Sequence, residues 1–214
     1  MAASQADGIV RTGYHHGDLE HALVTEALNQ VRTRGADAVS LRQVAHAVGV
    51  SPSAAYSHFP DKTALMTAVG ELGMAELDAR MVAAAQAVPG DDDLAAIARF
   101  RIAGETYVRF AIAQPHLFRH MFGPACQKKF DGVTDHEQNS VSYQVLCRGL
   151  DDLQSRGLLR PGTRDGLDLV AWTMVHGFAS LVLDGFLADE VGEHLISALA
   201  RLALSDAALA LGRA

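Results

Sequence analysis

The sequence predicts an all-α protein, and three observations lead there. Alanine and leucine dominate a 214-residue chain in which 49% of residues are apolar and only 6% aromatic, a mix that favours helix over sheet. Apolar residues recur at three- and four-residue spacing in one segment after another, the period of a helix face. Those segments are bracketed by Ser, Asp or Pro in front and Gly behind, the residues that start and stop helices. No stretch alternates as a strand does, and no internal repeat or low-complexity tract interrupts the pattern. The expectation is about nine helices, arranged as a three-helix head with an N-terminal arm (1–65) and a helical body (66–214).

Residues 1–13 lack periodicity and read as the arm. The first helix is expected from about Gly17 to Arg34, with Leu19, Leu23, Ala27 and Val31 as its buried line and Gly35 as its stop. Ser40 and Gln43 have capping-box spacing, and Leu41, Val44, Ala45 and Val48 then form one apolar stripe over two turns. Gly49 ends that second helix, while Ser51 and Pro52 begin a third as N-cap and first helical residue. Small Ala45 and Ala55 let the pair cross closely. Pro60-Asp61 starts a fourth helix, which runs to about Val88 and is long enough to pass from head to body. Asp91, Asp92 and Asp93 open the fifth at the positive end of its dipole, and it ends near Gln114-Pro115. A short sixth helix is broken by Gly123-Pro124, and Cys126 to Asp135 reads as loop. The seventh covers about His136 to Arg156, the eighth Asp165 to Leu187 and the ninth Glu190 to Leu211.

Two short helices joined by a tight turn are the layout of a helix-turn-helix, which sets its second helix in the DNA major groove. The run S-L-x-x-V-A-x-x-V-G-V-S-x-x-x-x-Y-x-H-F-x-x-K-x-x-L, carried by Ser40, Val44, Ala45, Gly49, Val50, Ser51, Tyr56, His58, Phe59, Lys62 and Leu65, resembles the DNA-binding signature of the tetracycline-repressor family of bacterial transcriptional regulators. Tyr14-His15-His16-Gly17-Asp18-Leu19 is similar to the lead-in of one branch of that family. Trp172, His176 and Gly177 resemble the C-terminal domain type named for those three residues. The resemblance is detailed over the first third of the chain and rests on one anchor late in it.

Candidate DNA contacts follow from position. Ser40 and Arg42 stand at the start of the second helix, where that helix crosses the backbone. Lys62 is a cation in the first turn of the fourth, where the helix dipole disfavours it unless a phosphate docks there. On the third helix, Ser51, Pro52, Ser53, Ala54 and Ser57 face the groove, with Tyr56 and His58 toward the strand; Tyr56 serves equally well as packing with its hydroxyl outward, and Phe59 reads as core. Arg, Asn and Gln are missing from this helix, so the bidentate base pairings they make are not available. Where many members of the family carry Gly and a cation, this chain has Ser53 and Ser57. Readout by thymine-methyl contact, serine hydroxyls and DNA shape is expected. In the arm, Arg11 has the character of a minor-groove contact.

Charge runs against nucleic-acid binding at first sight, since the formal net charge is −7. The head is close to neutral, however: Arg11, Arg32, Arg34, Arg42 and Lys62 stand against Asp7, Asp18, Glu20, Glu26, Asp37 and Asp61, and most of the negative charge lies in the body. Such a head binds weakly alone and depends on dimerisation. The eighth helix is apolar nearly all round, which requires burial on two sides, and the ninth carries Val191, Leu195, Ile196, Leu199 and Leu202. A homodimer through these two helices is expected.

In the body, large apolar groups accumulate on several helices. The resemblance implies a cavity there for a small effector, and Phe100, Tyr107, Phe110, Phe118, Phe122, Trp172 and His176 are its candidate lining, although each taken singly also fits core packing. His116 and His120, four apart, are better explained by packing than as metal ligands, and adjacent His15 and His16 have no further ligand nearby. Cys126 and Cys147 lack metal or redox spacing. No phosphate loop, nucleophile elbow or pair of catalytic carboxylates is present, so no enzymatic activity and no cofactor are expected. The chain has no leader pattern and no membrane-length apolar run, which points to a cytoplasmic location. The expected function is a repressor that binds a palindromic operator as a dimer and is released by a small molecule. The alternative is a helical small-molecule-binding protein without operator binding.

Overall fold

The computed structural model describes residues 16–126, 140–189 and 192–211. Among them are ten α-helices: α1 (His16–Arg34), α2 (Leu41–Val48), α3 (Pro52–His58), α4 (Lys62–Gln86), α5 (Asp93–Ala113), α6 (Pro115–Met121), α7 (Val141–Ser155), α8 (Leu167–Leu183), α9 (Gly192–Ala203) and α10 (Asp206–Leu211). Single 3-10 turns at Ala36–Ala38 and Pro124–Cys126 follow α1 and α6. None of the described helices is long and apolar enough to cross a membrane.

Side chains set the helix starts. Ser40 accepts from the Gln43 amide, Ser51 from Ala54, Asp61 from Ala64 and Asp92 from Ala95, each satisfying a donor that the first turn leaves free. Gly49 ends α2 at φ 81°, with its own amide on the His46 carbonyl and the Val50 amide on Ala45. That left-handed turn is open to glycine and costly for other residues. It aims α3 across α2, where Ala45 and Ala55 are fully buried, as their small size predicts.

Three boundaries differ from expectation. The expected ninth helix is two helices, because at Leu204 the backbone leaves the helix to pair with the connection before α8: Leu159 and Leu204 form an antiparallel bridge, and the Ser205 amide bonds the Leu158 carbonyl at 2.8 Å. Ser205 then caps α10. α8 stops at Leu183, four residues early, closed by Gly185 (φ 76°) and by the Phe186 amide on the Leu181 carbonyl. The apolar pattern continues through Phe186 and Leu187, which is why periodicity alone overruns this stop. α7 starts at Val141 with Ser140 as its cap; the earlier part of its expected span, His136 to Asn139, lies outside the described residues, as do Arg11, Tyr14 and His15 of the arm.

Two apolar cores result. The larger runs from Leu23, Val31 and Val44 in the head through Leu65, Val69 and Leu77 on α4 to Tyr107, Phe118 and Val175 in the body. The smaller gathers Phe100, Leu150, Leu153, Leu199 and Leu204. Head and body thus share one core along α4. Arg32 of α1 also pairs with Glu76 of α4, which holds Arg80, and the Arg80 guanidinium lies 5.5 Å over the Phe110 ring of α5.

Close approach of α6 to α4 is possible only because α4 lacks side chains on the facing turn. A Cβ on Gly73 would stand 2.8 Å from Met121 Sδ and 2.9 Å from Leu117 Cδ1, and one on Gly70 would collide with Cys126 Sγ. Helix propensity alone favours alanine here by about 1 kcal/mol. Overpacking two buried side chains costs about 1–3 kcal/mol and outweighs it. Gly73→Ala is therefore expected to lose about 1 kcal/mol net, a fall of about 2–4 °C in a thermal melt; a rise in the midpoint would show that α6 is free to give way.

Candidate nucleic-acid interface and body site

The head presents one exposed face. Ser51, Pro52, Ser53, Tyr56 and Ser57 are exposed on α3, and Ala54 is half-buried beside them. Ser57 donates its hydroxyl to the Ala54 carbonyl at 2.6 Å, which leaves its oxygen lone pairs for a donor, whereas Ser53 keeps a free hydroxyl. Arg42 is exposed in the first turn of α2 and makes no ion pair among the described residues. Lys62 is exposed on the first turn of α4, and its ammonium donates to the Asp37 carbonyl at 3.2 Å, which stretches the side chain across the turn that precedes α2. Ser40 is half-buried and committed to its cap at 3.3 Å. The face therefore has two cations flanking a small, hydroxyl-bearing helix.

His58 does not belong to that face. It turns inward toward α1, with Nδ1 3.8 Å from the Glu20 carboxylate and its side chain 11% exposed. The last turn of α3 packs on α1, so a residue at its end is drawn to the head core rather than to the groove. Phe59 is buried, as expected.

In the body the structure brings five of the expected seven lining residues together. His176 of α8 lies among Phe122 (4.8 Å between centroids), Phe118 (5.4 Å), Trp172 (5.9 Å) and Tyr107 (6.2 Å). Tyr107 and Phe118 are buried, whereas Phe122, Trp172 and His176 are half-buried and form the accessible side. The Tyr107 hydroxyl and His176 Nδ1 are 2.8 Å apart. Burial raises the Tyr107 hydroxyl well above its ordinary range and lowers the His176 imidazole below 6.5, so both stay neutral. The other two candidates lie elsewhere. Phe100 packs in the second core with Leu150 and Leu153, and Phe110 lies under the Arg80 guanidinium. Both sit on α5 with Tyr107, Phe100 seven residues earlier, which keeps it on the same side but two turns further along the helix, and Phe110 three residues later, which turns it about 60° away.

A second polar group in the body escaped the pattern analysis. Asp168 is buried on the otherwise apolar α8, where it accepts from the Tyr143 hydroxyl at 2.7 Å and pairs with Arg164 at 3.4 Å. Burial and then the neighbouring carboxylate push the Tyr143 hydroxyl upward, and the Cys147 thiol is pushed up to about 11 by the same two causes. A lone acid in an apolar helix was the available signal. Tyr143 also meets Trp172 edge-on at 6.1 Å, so this network braces one wall of the ring group. A separate open hollow of about 600 Å³ beside Pro161 includes Arg160 and Arg164, both already paired with acids.

α6 connects the two regions. His120 Nε2 bonds the Met66 carbonyl of α4 at 2.8 Å, Cys126 Sγ lies 3.5 Å from the same nitrogen, and the His116 ring lies over Gly35 at the end of α1. The two histidines thus reach different helices. On the other side of α6, Phe118 enters the ring group and Arg119 holds the end of α8 through the Leu183 carbonyl and Asp184.

Because the His176 pKa is lower folded than unfolded, the unfolded chain takes up this proton first as pH falls. The contribution of His176 is full above about 6.5 and is lost as pH drops toward the folded pKa. His176→Gln is expected to lose less stability than the parent between pH 7.5 and 5.5 in paired thermal melts. Parallel curves would mean that His176 is not held neutral.

Comparison with known proteins fits this geometry. The profile described as bacterial regulatory proteins of the tetR family matches residues 23–69, and that of the tetracyclin repressor-like C-terminal domain matches residues 100–206. No curated protein matches the chain. A solved protein of unknown function from Rhodococcus sp. RHA1 is 32% identical over 90% of this chain and 98% of its own, with TM-score 0.73. NalD of Pseudomonas aeruginosa, the secondary repressor of the MexAB-OprM multidrug efflux pump, is 18% identical over 89% of this chain and 98% of its own, with TM-score 0.56. RolR, solved with resorcinol, is 16% identical over 90% and 91%, with TM-score 0.60.

Proposed function

The chain belongs to the tetracycline-repressor family of DNA-binding transcriptional regulators, and from that premise we propose that it is a cytoplasmic homodimeric repressor, released from a pseudo-palindromic operator by a small-molecule effector. The observation that carries this is the continuity of α4: Lys62 of the DNA-facing surface stands at its first residue, and Gly70 and Gly73, against which α6 packs, lie two and three turns on. Ser40, Arg42 and Lys62 anchor phosphates, while Ser51, Pro52, Ser53, Ala54, Tyr56 and Ser57 lie along the groove. His58 supports the face from behind.

An effector among Tyr107, Phe118, Phe122, Trp172 and His176 displaces α6 through its two phenylalanines. α6 then moves α4 through the glycine contact and the His120 bond to Met66, changing the spacing of the two heads from the one DNA turn, about 34–36 Å, that an operator requires. The effector must bind the released arrangement more tightly, or nothing shifts. That RolR was solved with resorcinol and NalD is named a repressor supports this reading by analogy of fold.

α8 supports the dimer. Its inward residues Leu167, Ala171, Val175 and Phe178 are buried in its own subunit, while Leu169, Val170 and Leu181 remain exposed on the opposite side. Gly177 lies between them with open space above it, room for a second helix to approach. On α9, Ile196 and Leu199 are used internally and Leu202 is 60% exposed. Leu181→Glu is expected to convert the dimer to a monomer in sedimentation at micromolar concentration; a monomeric parent protein would remove the interface.

Purified protein should shift DNA from its own upstream region, and raising salt should weaken the complex. Lys62→Ala should weaken binding to all sequences alike and lower the salt-dependence slope by about one. Unchanged binding would remove the phosphate role of Lys62. Absence of any salt-sensitive shift by the parent protein would leave a helical ligand-binding protein without operator binding.

A further inference from the structure

The body site has a directional hydrogen-bond relay that selects the chemistry of its ligand. The buried Tyr107 hydroxyl has one hydrogen to place, and the neighbouring Trp172 indole N–H, which can only donate, is no acceptor for it. The Tyr107 hydrogen then has His176 Nδ1, 2.8 Å away, as its acceptor. With Nδ1 accepting, the neutral imidazole carries its proton on Nε2. Among the described residues His176 Nε2 has no hydrogen-bond partner, and His176 is half-buried beside Phe122 and Trp172 on the accessible side of the ring group. One N–H donor is therefore presented between aromatic faces.

We propose that this site takes a small, uncharged aromatic molecule bearing a hydrogen-bond acceptor such as a carbonyl, recognised by the His176 Nε2–H. This rests on the effector site proposed above and names its ligand class. Ring faces suit a flat ligand, and the lone donor requires an acceptor. A carboxylate ligand would need a cation, and the ring group contains no Lys or Arg. A cationic ligand is attracted by aromatic faces but repelled by an outward N–H, and the buried acid behind Trp172, Asp168, is already engaged by Tyr143 and Arg164. Tyr107 is a positioning residue here, since it fixes which nitrogen of His176 holds the proton.

The test titrates the full chain by calorimetry with three probes of one shape: acetophenone, α-methylstyrene (a CH2 in place of the carbonyl oxygen) and the 1-phenylethylammonium ion. Trp172 is the chain's single tryptophan, so a change in its emission places binding at this site. Acetophenone is expected to bind about tenfold more tightly than α-methylstyrene, the factor that one unmet buried donor produces. His176→Phe should abolish that preference, and His176→Gln, which keeps an N–H donor, should retain part of it. Equal affinity of the parent protein for acetophenone and α-methylstyrene, tightest binding of the ammonium ion, or no binding by any of the three would overturn the proposal. Gel shift on operator DNA separates it from the regulator reading. Selective binding of acetophenone without release of DNA supports the ligand class and counts against effector release, whereas operator binding by a protein that takes none of the probes overturns the ligand class and leaves the regulator reading standing.

Discussion

The contact between α6 and α4 joins the ring group of the body to the helix that begins at Lys62. That contact exists because Gly70 and Gly73 leave a bare turn on a long helix, into which Leu117, Met121 and Cys126 settle. Packed interiors transmit displacement because they cannot compress. A side chain on α4 at either glycine would hold α6 away and open the core between them. His120 adds a directed tie, since its bond to the Met66 carbonyl fixes the height of α6 along α4 as well as its distance. A seven-residue helix with one face in the ring group and the other on α4 is a short path between a binding site and a DNA-facing surface.

Electrostatics and packing divide the work between the two ends. The head is nearly neutral, and Arg32 is already paired with Glu76, so the proposed grip on phosphate falls to exposed Arg42 and to Lys62, which the Asp37 carbonyl orients. Rigid placement of few charges favours a dimer over a monomer, because each head alone gains little. The body does the opposite. It keeps charge out of the ring group, holds Tyr107 and His176 neutral by burial, and confines its buried acid to a network with Tyr143 and Arg164. A neutral site of this kind discriminates by shape and by the direction of single hydrogen bonds.

The head was legible in the chain because its determinants are local. Caps at Ser40, Ser51 and Asp61, the left-handed Gly49 and the small crossing residues Ala45 and Ala55 act within a few residues of themselves, and each does in the structure what its chemistry predicts. His58 is the exception at this end: pattern put it toward the DNA strand, while the structure turns it to Glu20, thirty-eight positions earlier. The body was legible only in part. Composition identified which residues are large and apolar, but sorting Phe100 and Phe110 away from Tyr107 depends on which neighbours α5 meets along its length and on how it is turned toward them.

By itself the sequence determined the helix content, the caps and the two-helix motif, since these follow from period, stereochemistry and polarity over short spans. Tertiary structure alone decided where the expected ninth helix breaks, because Leu204 leaves its helix to pair with Leu159. It also decided that Tyr107 meets His176 and that α6 seats against two glycines. Those outcomes depend on partners 44 to 69 positions apart, between which backbone donors and side-chain volumes compete for the same space, and no local pattern records which one wins.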